Sequence, residues 1–165
     1  MWEGRFITAK REGKWEYVSR SRGIRAAVIL AIDKDHVLLV EQFRVPLGKN
    51  CIELPAGLVG DHDDNSDEDA SLAAIRELEE ETGYHADNMK GCGEFYSSPG
   101  MVSESFSMFK AEGLTKVSEG GGVEGENITV HRVALPGLSD FIEKKRQDGV
   151  GIDVKLLLLL GSSLI

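Results

Sequence analysis

Two apolar runs, Ala26 to Ile32 and His36 to Val40, flank the polar triplet Asp33-Lys34-Asp35. The pattern is that of a hairpin, and the near-continuous apolar character of both arms predicts two well-buried strands. Lys14-Trp15-Glu16-Tyr17-Val18 alternates instead, which puts Trp15 and Tyr17 on one face of a strand. Cys51-Ile52-Glu53-Leu54 reads as a short strand stopped by Pro55. Later strands are expected at Phe106 to Ala111 and Ile128 to Val133, and helices at Leu138 to Gln147 and Val154 to Leu160. Gly120, Gly121 and Gly122 predict a flexible loop. A further helix follows the hairpin region: Ser66 with Asp69 three residues on resembles a capping box, and Gly83 stands where a C′ glycine would end it. Strands interleaved with helices predict an α/β (α+β) domain with a mixed sheet.

At 165 residues the chain suits one compact domain with a core that needs no disulfides. Cys51 and Cys92 form no CxxC motif and read as buried thiols of a reducing compartment. The first residues lack an apolar signal core, and Leu156 to Leu160 is too short to span a bilayer, which takes about 20 residues. The expectation is a soluble cytoplasmic protein. The formal net charge is −9, which disfavours nucleic acid and anionic membrane as partners. That charge is local. Residues 61 to 81 hold ten acids and one base, Arg76, while acids and bases balance in the rest of the chain.

Part of this acidity lies on the expected helix. At 100° per residue, Leu72, Ile75 and Leu78 fall on one side, and Glu77, Glu80 and Glu81 cluster on the other. Glu77 and Glu81 are like charges at i,i+4, which costs a few tenths of a kcal/mol with no lysine on that face to relieve it. A divalent cation would relieve it, and Mg²⁺ favours carboxylates, water and substrate phosphates as ligands. Asp61-x-Asp63-x-Asn65 begins like a calcium loop, but Ser66 and Leu72 stand where that loop needs glycine and glutamate. A solvated acidic loop is the better reading of that segment.

Arg76-Glu77-Leu78-Glu79-Glu80-Glu81-Thr82-Gly83-Tyr84, with Glu68 eight residues before Arg76, resembles the box of the Nudix hydrolases. Position 62, where the box normally opens with glycine, is His62, so Gly57 is the counterpart and residues 60 to 66 carry a five-residue insertion. The resemblance implies the Nudix fold, an α/β/α sandwich with a mixed sheet, preceded by an N-terminal antiparallel strand segment over 1–22. Val40-Glu41-Gln42-Phe43-Arg44, Ile52-Glu53-Leu54-Pro55-Ala56-Gly57 and Ser98-Pro99-Gly100 are similar to the ADP-ribose and nucleoside diphosphate sugar pyrophosphatase branch.

That resemblance implies hydrolysis of ADP-ribose to AMP and ribose 5-phosphate with Mg²⁺, or Mn²⁺ in its place. The alternatives are another nucleoside diphosphate sugar as substrate, or a sensor of the same fold that binds without hydrolysis. Metal would be held by Glu77, Glu81, Glu80 and the carbonyl of Ala56. Gly57, Glu68, Arg76 and Gly83 would shape the box, with Glu68 and Arg76 as an ion pair. On one straight helix those two would stand about 12 Å apart, so Glu68 must lie off the helix or bend back. The glutamate that activates water is Glu104, Glu126 or Glu80, with Glu104 favoured because its loop resembles the family's mobile catalytic loop. Arg20 and Arg44 suit phosphate or ribose, since guanidinium groups pair bidentately with phosphate oxygens. Glu53, Pro99 and Gly100 would contact substrate, and Trp15 would stack on a base across a homodimer.

Overall fold

The computed structural model describes residues 1–21, 25–59 and 69–164. Its first unit is a three-stranded antiparallel sheet of β1 (Trp2–Glu3), β2 (Ile7–Glu12) and β3 (Trp15–Arg20). The central sheet follows. β4 (Arg25–Asp33) and β5 (His36–Arg44) form the expected hairpin, with Lys34 in the left-handed region at the turn. The two strands pair only at Ile32–Val37 and Asp33–His36, and then they part. β6 (Lys49–Glu53) takes the freed edge of β5, and β7 (Ala56–Val59) takes that of β4. The Leu54–Pro55 link crosses the fork, fixed by the Ile29 N–H donating to the Pro55 carbonyl at 2.8 Å.

β9 (Ser105–Lys116) runs parallel to β4, and β8 (Tyr84–Tyr96) pairs antiparallel with β9. β10 (Thr129–Ala134) pairs with β5, and the short β11 (Gly151–Ile152) runs parallel to β6. The sheet is therefore mixed.

Alternation along β4 explains the sandwich. Ala27, Ile29 and Ala31 pack under α1 (Ala70–Thr82) with Ala73, Ala74 and Leu78. Val28 faces the other way, toward α2 (Leu138–Gln147) and the C-terminal segment that ends in α3 (Leu157–Leu164), where Leu138, Ile142, Leu156 and Leu160 close the second core. Both faces of the hairpin are covered, and so both faces of its strands are apolar. This is the expected α/β/α sandwich.

Four local expectations change. Asp69 caps α1, its side chain accepting from the Ser71 N–H at 2.7 Å, while Ser66 lies outside the described residues. The buried stripe of α1 runs through Ala73, Ala74 and Leu78; Leu72 is 63% exposed, because alanines supply the close contact with the sheet. Cys51 is buried, but Cys92 is exposed on β8 near a register shift between Gly91 and Gly93. The triple glycine is docked: Gly121 N–H donates to the Glu81 carbonyl and Gly122 N–H to that of Glu80, at 2.9 and 3.0 Å. These bonds satisfy carbonyls that the end of α1 would leave open. Gly83 ends the helix at φ 76°, as expected. Among the described residues, no helix is long and apolar enough to cross a membrane.

Candidate active site

The fork between β4 and β5 opens into a cleft of about 460 Å³. β6 and β7 bring Glu53, Ala56 and Gly57 to it, β5 brings Gln42 and Arg44, and the last turns of α1 bring Glu77 and Glu81. Arg20 reaches in from β3 and Glu104 from the loop before β9. Glu126 comes from the loop that carries the docked glycines, and Lys155 from the turn before α3.

Glu77, Glu81 and the exposed Glu126 are among its acidic groups. Glu81 is 6% exposed, and its Oε2 accepts from the Ala56 N–H at 3.0 Å. Burial pushes its carboxyl up to about 8, and the negative charges of Glu77 and Glu126 push the same way; the Ala56 N–H and Arg44 oppose them. Glu77 lies against Gly57 so closely that a Cβ there would sit 2.0 Å from the Glu77 side chain. Glycine at 57 is thus a requirement of the glutamate. Arg76 pairs with Glu77 at 2.9 Å and with Glu80 at 3.2 Å. Glu126 Oε2 accepts from the Val123 N–H at 2.9 Å. Among the described residues, no three His, Cys, Asp or Glu side chains stand in a ready-made metal cluster, and these carboxylates rest on protein donors.

The basic groups line the walls. Arg44 is a fork-to-fork partner of Glu53, Nε to Oε1 at 2.6 Å and Nη2 to Oε2 at 3.0 Å, which raises the Arg44 pKa. Arg20 Nε donates to Glu104 Oε1 at 2.5 Å. Lys155 is bonded to Asp153 at 2.7 Å and stands 5.7 Å from the centre of the Phe106 ring. Cys51, beside the cleft, is held as a thiol: burial, then the charges of Glu53 and Asp153, push it up to about 11.

Nine expected residues therefore meet in one place: Arg20, Arg44, Glu53, Ala56, Gly57, Glu77, Glu81, Glu104 and Glu126. Others do not. Glu80 borders a separate hollow with Arg76, Glu79 and Gly120: it stands about 60° from Glu77 on the side away from Glu81, and it pairs with Arg76. Trp15, Pro99 and Gly100 line a different concavity with Glu12, Tyr17, Val102 and Ser103. Glu68 and the inserted segment lie outside the described residues. Lys155, Gln42, Ser97 and Phe106 were not legible as site residues; Lys155 lies far along the chain from the box, and no fixed spacing marks it.

Residues 22–136 match the NUDIX domain. The chain belongs to the Nudix family. Among its Nudix relatives is a GDP-mannose pyrophosphatase of Cronobacter sakazakii, 37% identical over 96% of this chain and 79% of that protein. An ADP-ribose pyrophosphatase of Bacillus subtilis is 35% identical over 72% of this chain and 62% of its own length. A protein named methanol dehydrogenase activator, of Bacillus methanolicus, is 35% identical over 84% and 70%. A solved structure described as an ADP compounds hydrolase superposes with TM-score 0.66 over 96% of this chain and 91% of that one, at 20% identity, and so shares its fold. This chain is thus a Nudix hydrolase with relatives of the ADP-ribose and sugar pyrophosphatase kind. The match begins at residue 22, so Arg20 comes from a sheet that the domain description does not include.

Proposed function

We propose that this Nudix hydrolase is a divalent-cation-dependent pyrophosphohydrolase that cleaves ADP-ribose into AMP and ribose 5-phosphate. The observation that carries the reading is Glu81, buried under the negative charges of Glu77 and Glu126 in a cleft that Arg20, Arg44 and Lys155 also line. Glu77 and Glu81, like-charged oxygen ligands one turn apart beside the Gly57 cradle, fit a hard divalent cation. Glu77, Glu81 and the Ala56 carbonyl are the groups that would hold Mg²⁺, or Mn²⁺ in its place. When bound, such an ion supplies neutralisation of the diphosphate charge and acidification of water.

The chain's own residues do the rest. Arg20, Arg44 and Lys155 receive the phosphate oxygens, and the walls of the fork orient the diphosphate along the cleft. A water attacks one phosphorus, the bridging P–O bond breaks, and the departing phosphate takes the electron pair. Glu126 is the better placed of the proposed bases to take the water's proton: it lines the cleft with its charge acting on Glu81, whereas Glu104 is engaged by Arg20 and Glu80 borders the separate hollow. The relatives that act on GDP-mannose favour hexose conjugates as the second substrate class. The exposed Trp2, Phe6, Ile7 and Trp15 support a homodimer built through residues 1–22. We further place the enzyme in the cytoplasm and take the whole chain as one domain.

Glu81→Gln tests the metal assignment. Turnover should fall at least ~10²-fold with substrate binding retained. Unchanged turnover would sink it.

A further inference from the structure

We propose that Glu104 is a positioning residue that fixes Arg20, and that Arg20 thereby grips a phosphate of the substrate through its Nη1 and Nη2 edge. The proposal rests on reading the cleft as a diphosphate site.

The two cleft arginines are committed differently. Arg44 spends its Nε and Nη2 on Glu53. Arg20 makes a single side-chain bond among the described residues, Nε to Glu104 Oε1 at 2.5 Å, which leaves both Nη groups uncommitted. A guanidinium presents two parallel N–H donors along that edge, the geometry that matches two phosphate oxygens. The backbone is prepared for this pairing. Val18 N–H donates to the Met101 carbonyl and Ser103 N–H to the Val18 carbonyl, both at 2.9 Å, so β3 and the loop before β9 are laced together beside the pair. Arg20 and Glu104 are each only about a third exposed, with side-chain accessibilities of 29% and 28%.

Charge explains why a partner is needed. The cleft holds Glu53, Glu77, Glu81 and Glu126 besides Glu104. An unheld Arg20 would be drawn toward those other carboxylates, because opposite charges in a partly buried cleft attract strongly at short range. Glu104 holds the guanidinium on the wall instead.

The test measures KM and kcat for ADP-ribose in Arg20→Ala, Glu104→Ala, Glu104→Gln and the Arg20→Ala/Glu104→Ala double variant. Arg20→Ala and Glu104→Ala should each raise KM by about tenfold, and the double variant should be no worse than the poorer single one. Glu104→Gln keeps an oxygen that accepts from Nε and should recover most of the KM loss. A ~10²-fold fall in kcat at unchanged KM in either Glu104 variant would overturn the proposal, as would KM effects that multiply in the double variant. If the wild type cleaves no nucleoside diphosphate sugar, the proposed function fails on its own, and the same proteins are titrated calorimetrically with ADP. Equal, non-additive losses of ADP affinity support the pair; undiminished affinity, or no ADP binding by the wild type, overturns it.

Discussion

Raising the pH on the cation-free protein should destabilise it, and Glu81→Gln should remove that loss. Burial, with the charges of Glu77 and Glu126, pushes the Glu81 carboxyl from its ordinary 4.5 up to about 8. Below pH 4.5 the group is protonated in both folded and unfolded chains and contributes no difference. Between 4.5 and 8 the folded chain retains a proton that the unfolded chain has released, so stability falls as pH rises; above 8 the loss is complete. A displacement of that size corresponds to an upper bound of about 5 kcal/mol. For a chain of this length each kcal/mol moves the midpoint by about 2–4 °C. In chelator-treated protein, Glu81→Gln and wild type should melt together near pH 4.5 to 5, and the variant should melt at least ~5 °C higher at pH 8.5. Millimolar Mg²⁺ should raise the wild-type midpoint at pH 8.5 and leave that of the variant nearly unmoved. Differential scanning calorimetry across this pH range measures all of it. A variant that melts no higher than wild type at pH 8.5 would refute the buried carboxylate cluster.

Two glycines give further outcomes. In Gly57→Ala the new Cβ would lie 2.0 Å from Cγ and Cδ of Glu77, a side chain that can swing away, so turnover should fall about 10²-fold while the melting midpoint stays within ~3 °C; full activity would contradict the cradle. In Gly120→Ala the Cβ would lie 2.4 Å from the Thr82 carbonyl carbon and 2.6 Å from the Gly83 nitrogen, at φ 66°, and backbone cannot move aside as easily. Urea unfolding should show a loss of about 2 kcal/mol or more, and a change below ~0.5 kcal/mol would mean that the loop is not docked on α1.

The common placement of Glu77 and Glu81 was legible because it depends on spacing within one helix. Glu77 and Glu81 are one turn apart, and both enter the cleft. Gly57 and Arg44 were legible through short runs around them, and the structure places them beside Glu77 and Glu53. Residues whose role depends on contacts between distant elements were harder to read. Lys155 arrives from the turn before α3 and declares itself only by lying in the cleft. Leu72 looked like core by periodicity, yet the sheet takes the alanine face, because two alanines allow a closer approach than a leucine would. Three consecutive glycines suggest freedom, but positive φ and two hydrogen bonds onto the end of α1 make them a fixed cap. Trp15, Pro99 and Gly100, expected at the substrate, share a concavity with one another that is not the one holding the glutamates, because their strand and loop meet away from the fork.

The most direct measurement is chromatographic identification of what the purified protein releases from ADP-ribose with and without Mg²⁺. The proposed activity releases AMP and ribose 5-phosphate in equal amounts, and only when the divalent cation is present. No cleavage of ADP-ribose or of any nucleoside diphosphate sugar in a panel that includes GDP-mannose, with nucleoside triphosphates hydrolysed instead, would contradict it.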